Sequence, residues 1–230
     1  RGAARNNGFR SAKGEYVVFF DSDDIMHPEH LEVLFTAIRE NDYPDFVATK
    51  YDFIKDGKHY PSDSMKLSAG FLDYKAFLHG NPLACNFAVR RDNRELILFE
   101  EDRRLAIKED WIFLLRNLFK HRLYLVDKVT VTMNDHEDRS MRQDHELIVQ
   151  KTLLANDWIR KMVPFSKAER NLLESHAYYL SAIHSYVAGR RMDTYRYLSH
   201  AVKVNGIKKK YISLALKAVA GHNILKHISR

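Results

Sequence analysis

The sequence of 230 residues contains little cysteine, proline or glycine: one, five and nine residues of each. Because Cys85 is the only cysteine, an intramolecular disulfide and a cysteine metal cluster are excluded, which fits a reducing compartment. The scarcity of proline and glycine excludes collagen-like and linker-like chains. No apolar run approaches the roughly 18 residues of a membrane-spanning helix. We therefore expect a globular, cytoplasmic protein.

The charge is unevenly distributed along the chain. Residues 1–142 hold 22 Lys and Arg against 24 Asp and Glu, a net charge of −2, whereas residues 143–230 hold 15 against 6, a net charge of +9. This asymmetry favours an anionic partner for the second part, although a solvated basic face would give the same pattern. We expect this part to associate with an anionic membrane. We expect no binding of nucleic acid, because the Lys208–Lys210 cluster is short and no recognition motif accompanies it.

The same boundary separates two patterns of secondary structure. Strands alternate with helices before it, which predicts an α/β fold, and only helices follow it. The predicted strands cover residues 14–20, 45–54 and 85–91, and residues 123–133 form either a strand pair or one bent strand. The Asp56-Gly57 turn predicts a short partner strand around 59–60. The predicted helices follow Pro28 and cover 73–78 and 108–121, then 144–162, 166–188, 192–204 and 209–228. We therefore predict an α/β domain over 1–142 and an all-α helical module over 143–230.

An acidic cluster follows the first apolar strand directly. Asp21 and Asp23 would lie on one side of an extended chain, because side chains alternate along a strand. Two hard oxygen ligands suit Mg²⁺ or Mn²⁺ with positions left for substrate phosphates. The alternative is a solvated turn in which Asp24 caps the next helix. A phosphatase active site of the D-x-D-x-T type is a second alternative, although Ile25 stands where Thr or Val is usual.

Residues 2–24, GAARNNGFRSAKGEYVVFFDSDD, resemble the central signature of family 2 glycosyltransferases, the inverting enzymes of the GT-A fold. Glu109-Asp110, within LAIKEDWIFLLRNL, resembles the second motif of that family. The resemblance covers residues 1–142 and implies a partial, Rossmann-like GT-A domain. It also leads us to expect that the nucleotide-binding N-terminal half of such a domain is missing from this chain.

The resemblance implies specific roles for the first motif and for a later loop. Asp21 and Asp23 would bind Mn²⁺ or Mg²⁺, with His136 as a further metal ligand. Arg5 and Arg139 would lie near the nucleotide and its diphosphate, and Asp21 and Asp23 would contact them as well.

The second motif would supply the catalytic groups. Asp110 would take the proton of the acceptor hydroxyl, and Glu109 would support it. The resemblance thus implies sugar transfer, with inversion, from a nucleotide sugar such as a uridine diphosphate sugar. The acceptor would be a glycan or a polyol phosphate in bacterial cell-surface polysaccharide or teichoic-acid synthesis, at the inner face of the membrane. The alternative is a non-catalytic scaffold or adaptor with a basic helical module.

Overall fold

A computed structural model of the chain describes residues 1–135 and 144–220. The chain divides into two compact units, Arg1–Arg139 and Ser140–Arg230, which we call unit 1 and unit 2. The boundary predicted between residues 142 and 143 lies outside the described residues.

Unit 1 is built on a seven-stranded sheet. Its strands are β1 (Tyr16–Phe19), β2 (Ile25–Met26), β3 (Phe46–Lys55), β4 (Lys58–Pro61), β5 (Gly70–Leu72), β6 (Phe87–Arg90) and β7 (Leu123–Asn134). The order is β1-β6-β3-β7-β2, and β4 and β5 pair with β3 and β7. Only β3 and β7 pair in parallel among the described strands. Strand β6 lies between β1 and β3 and runs antiparallel to both. Strands β1 and β3 therefore point the same way, and their carboxyl ends share one edge of the sheet.

Within residues 1–135, three α-helices accompany the sheet: α1 (Gly2–Ser11), α2 (His30–Glu40) and α3 (Glu109–Leu118). Helix α2 packs Leu34 and Ile38 onto the sheet and leaves Leu31 and Phe35 exposed. The helix predicted after Asp73 is a short 3₁₀ helix, Tyr74–Phe77. Asp73 caps it by accepting a hydrogen bond of 2.8 Å from the backbone N–H of Lys75.

Helix α1 is set in place by distant backbone. A Cβ on Gly2 would lie 2.0 Å from the carbonyl oxygen of Glu100, so only glycine allows this approach. Asn6 donates to the Phe99 carbonyl and accepts from the Phe99 N–H, both at 2.9 Å. Phe99 in turn stacks on Phe113 of α3 with ring centroids 3.9 Å apart. These contacts bring α1 next to the start of α3.

Unit 2 is helical, as predicted. Its helices are α4 (His145–Met162), α5 (Lys167–Val187), α6 (Arg191–Asn205) and α7 (Lys209–Ala220). Helix α5 begins with a capping box between Ser166 and Glu169. The hydrophobic core of unit 2 joins α5, α6 and α7 through Ala182, Leu198 and Leu214, among other residues. Across the described part of the chain, no helix combines the length and the apolar character needed to cross a membrane.

Candidate active site

An acidic turn follows strand β1. The strand ends at Phe19, and the Asp24 N–H donates to the Asp21 carbonyl at 3.2 Å. Each carboxylate of Asp21, Asp23 and Asp24 offers an oxygen, and these oxygens lie within 4.8 Å of one another. The carboxylates therefore meet because the chain turns, and the strand alternation that we used for Asp21 and Asp23 was the wrong reason. Asp24 does not cap the next helix, whose N-cap is Glu29.

This acidic turn has the chemistry of a divalent-cation site. Three carboxylates provide hard oxygen ligands, which Mg²⁺ and Mn²⁺ prefer, so the donor set fits the expected ion. Asp24 joins the two predicted ligands, a role that its position in a turn allows and an extended strand would not. His136 and Arg139, the other residues predicted for the ion and the diphosphate, lie outside the described residues.

Arg5 joins the acidic turn to the second motif. Its Nη2 donates to Asp21 Oδ1 at 2.9 Å, and its Nη1 donates to Glu109 Oε1 at 3.0 Å. The Arg5 and Glu109 side chains are only 13% and 4% exposed, whereas Asp21 is 46% exposed. Arg5 stays predicted to lie near the nucleotide, and in this structure its guanidinium lies between two carboxylates from distant parts of the sequence.

The Glu109-Asp110 pair begins helix α3, where the helix dipole favours acidic groups. Ile107, two residues earlier, has a φ of +73°, and a β-branched residue in this left-handed region is strained. Glu109 points inward, and its Oε2 is buried with no hydrogen-bond partner among the described residues. Asp110 is only half-buried, so the two neighbouring carboxylates differ in access to ligands.

Two donors hold the Asp110 carboxylate. Its Oδ2 accepts from Asn81 Nδ2 at 2.9 Å, and its Oδ1 accepts from the Trp111 N–H at 2.8 Å. Burial and the nearby Glu109 raise the pKa of Asp110, while the Trp111 N–H and Arg5 oppose the rise. The carboxylate is therefore a stronger base than an ordinary aspartate.

Asn81 is a site residue that the sequence did not reveal. Besides its bond to Asp110, its amide donates to the Ala84 carbonyl at 2.7 Å and accepts from the Leu83 N–H at 3.0 Å. Asn81 precedes Pro82, a dipeptide that predicts a turn, but no local signal connects it with a carboxylate 29 residues later. Cys85 in the same loop is buried, which raises its pKa and leaves an unreactive thiol.

Residues 1–97 match the sequence model of glycosyl transferase family 2. This is the family that residues 2–24 resemble. The match covers α1, the acidic turn and Asn81, and it removes the phosphatase alternative. A 57-residue stretch is 40% identical to the poly(ribitol-phosphate) beta-N-acetylglucosaminyltransferase TarP of Staphylococcus aureus. That stretch is 25% of this chain and 17% of TarP.

Two further similarities, one in sequence and one in structure, cover nearly the whole chain. An uncharacterized glycosyltransferase of Haemophilus influenzae is 26% identical over 228 residues, which is 94% of this chain and 74% of that protein. The crystal structure of S. aureus TarS 1–349 superposes with a TM-score of 0.55 at 16% identity. The superposition covers 93% of this chain and 62% of the TarS chain. The fold is therefore of the GT-A type, with a helical region after the sheet, as the resemblance implied.

Proposed function

We propose that this protein transfers a sugar, with inversion, from a nucleoside diphosphate sugar to an acceptor hydroxyl. The observation that carries the proposal is the arrangement around Arg5. It joins a metal-type carboxylate cluster at Asp21 to the Glu109-Asp110 pair. A site for a leaving diphosphate and a site for a base are thus built next to each other. The test is release of the nucleoside diphosphate from a uridine diphosphate sugar by the intact protein, with and without Mn²⁺.

Asp110 is the base in this proposal. It is half-buried and has a raised pKa, so it can accept the proton of the attacking hydroxyl near neutral pH. Glu109 is nearly inaccessible and bound to Arg5, so its part is to hold that guanidinium. A single displacement by the hydroxyl inverts the anomeric carbon and needs no enzyme nucleophile, in keeping with the buried Cys85 thiol.

Asp21 and Asp23, with Asp24 beside them, would hold Mn²⁺ or Mg²⁺. A bound ion would neutralise the charge that develops on the leaving diphosphate. His136 and Arg139 keep their proposed roles as a further metal ligand and a diphosphate contact. Arg5 keeps a place next to the nucleotide, but it would act mainly by fixing Asp21 and Glu109.

Replacing Asp23 with Ala should weaken Mn²⁺ binding by at least about tenfold, because one of three converging carboxylates is lost. Electron paramagnetic resonance of free Mn²⁺ measures the affinity directly, without turnover. Glu40→Ala, which removes an exposed carboxylate from the end of α2, should leave the affinity unchanged. Equal Mn²⁺ affinities for the two variants would contradict the assignment of the ion to this site.

Asn81 is a positioning residue for Asp110 in this proposal. Its amide N–H donates to the Asp110 carboxylate and so favours the ionised form, whereas burial and the charge of Glu109 favour the protonated form. Arg5, Lys108 and Cys85 are the other titratable groups nearby.

Asn81→Ala should therefore raise the pKa of Asp110 further and move the acid limb of the kcat–pH profile upward by about one pH unit. Asn81→Asp should move it further in the same direction, because it adds a like charge. Asn41→Ala, which removes an amide bonded only to its own helix, should leave the limb in place. A lower kcat with an unmoved limb would reduce Asn81 to a structural role.

We propose a glycan or polyol phosphate as the acceptor, in bacterial cell-surface polysaccharide or teichoic-acid synthesis. The TarP match supports a polyol phosphate, since that relative is described as acting on poly(ribitol phosphate). The reaction would take place in the cytoplasm, with the protein bound peripherally to an anionic surface at the inner face of the membrane and without nucleic acid. The net charge of +9 on residues 143–230 supports this placement.

The second candidate is a non-catalytic scaffold or adaptor with a basic helical module, which the net charge of +9 on residues 143–230 would equally suit. The two candidates predict different results in the donor assay. A scaffold would release no nucleoside diphosphate from any sugar donor, and Asp110→Asn would then change nothing.

A further inference from the structure

Helix α7 has an apolar stripe that does not face the core of unit 2. Its inner face is formed by Tyr211, Leu214 and Ala218, all at most 7% exposed. The stripe is formed by Ile212, Leu216 and Val219, which are 51%, 64% and 65% exposed. At 3.6 residues per turn the centre of the stripe lies roughly a third of a turn from the centre of the inner face. Three large apolar side chains of α7 are thus turned toward solvent.

The charge around the stripe has one sign. Lys209 and Lys217 are exposed, and helical geometry places them beyond the stripe on the outer side of α7. The sequence from Thr194 to Arg230 contains no Asp or Glu. Lys210 differs, because its ammonium group lies 4.5 Å from the Tyr179 ring centroid and serves the fold.

We propose that the outer face of α7 docks on an anionic lipid surface. The stripe would enter the boundary between headgroups and acyl chains, and Lys209 and Lys217 would contact lipid phosphates. A soluble polyanion would bind the lysines but would leave the apolar stripe exposed. An apolar protein partner would cover the stripe but would leave the lysines without anionic partners. A lipid surface uses both.

This inference rests on the proposed function in one respect, since it names the anionic surface at which the enzyme would work. Its measurement does not involve sugar transfer. Failure of lipid binding and failure of catalysis are therefore separate results, read on the same protein by vesicle binding and by donor turnover.

The test is co-sedimentation of the full chain with vesicles of phosphatidylglycerol and phosphatidylcholine, against vesicles of phosphatidylcholine alone. We expect binding to the anionic vesicles at low salt and release at high salt. Lys209→Gln with Lys217→Gln should weaken the partition coefficient by roughly thirtyfold, and Leu216→Gln by about tenfold. Because these residues are exposed, the variants should keep the melting temperature of the unchanged protein, measured by circular dichroism.

Two matched variants control for charge and for apolarity. Lys161→Gln with Lys167→Gln removes the same charge elsewhere in unit 2, and Met162→Gln removes another exposed apolar side chain. Both should retain binding. Equal binding to neutral vesicles would overturn the proposal. The proposal would also be overturned if the double lysine variant lost vesicle binding while Leu216→Gln bound normally. That result would indicate a soluble polyanion, such as a nucleic acid, as the partner. An equal loss in the control variants would overturn it as well.

Discussion

Asp110→Asn is expected to lower turnover by about 10²–10⁴ while donor affinity stays unchanged, because it removes the base and no donor contact. The structure makes the variant specific. Asp110 accepts from Asn81 and Trp111 and takes no part in the two Arg5 ion pairs, so its replacement leaves the acidic turn connected to Glu109. Turnover by nucleoside diphosphate release, with donor binding by calorimetry, separates the two effects.

Glu109→Gln is the matched variant, one residue away on the same helix. It should cost less turnover and more stability, because Glu109 is the buried partner of Arg5. If Glu109→Gln loses more turnover than Asp110→Asn, the two carboxylates have exchanged roles. Melting temperatures for both variants distinguish lost chemistry from lost folding, since the amide introduced at position 110 can accept from only one of the two donors, Asn81 and the Trp111 N–H.

Elements with a strong local pattern were predictable from the sequence. Strand β3, helix α2 and helix α3 lie where the apolar periodicity placed them, because each buries one face or both and needs no distant partner to specify its type. An Asp-Gly dipeptide predicts a turn, and Asp56-Gly57 joins β3 to β4 with a positive φ at both residues.

Helix α1 was not predictable from its composition. The segment GAARNNGFRS is polar and lacks an apolar periodicity. It is fixed by contacts 93 residues away, through the reciprocal bonds between Asn6 and Phe99. Such long-range pairing leaves no local pattern, and the family signature located these residues without revealing that they form a helix.

The candidate site was predictable as two motifs but not as one network. The sequence resemblance points to the acidic turn and to the Glu109-Asp110 pair, but it indicates neither the bonds that Arg5 makes nor the bond from Asn81 to Asp110. Arg5 and Asn81 act by side-chain hydrogen bonds across 104 and 29 residues, and only the folded backbone sets those distances.

Arg5→Met should lower the free energy of unfolding by about 3–5 kcal/mol, because it leaves the buried Glu109 carboxylate without its cation. Urea denaturation measures this loss. Turnover should also fall, by roughly 10²-fold, because the acidic turn and the base would no longer be held in register. Arg5→Lys should restore only part of either quantity, since one ammonium cannot match the two-pronged contact with Asp21 and Glu109.

A neighbouring arginine on α1 shows what burial adds. Arg10 lies 4.0 Å from Glu101, and both side chains are more than half exposed, so Arg10→Met should cost less than about 1 kcal/mol. The double variant Arg5→Met with Glu109→Leu should be more stable than the sum of its single variants predicts, because the unpaired buried charge is removed with its partner. Additive losses, or equal losses for Arg5→Met and Arg10→Met, would contradict a buried bridge. Turnover decides the functional part: if the double variant regains stability but not activity, Arg5 aligns the two motifs rather than merely stabilising the fold.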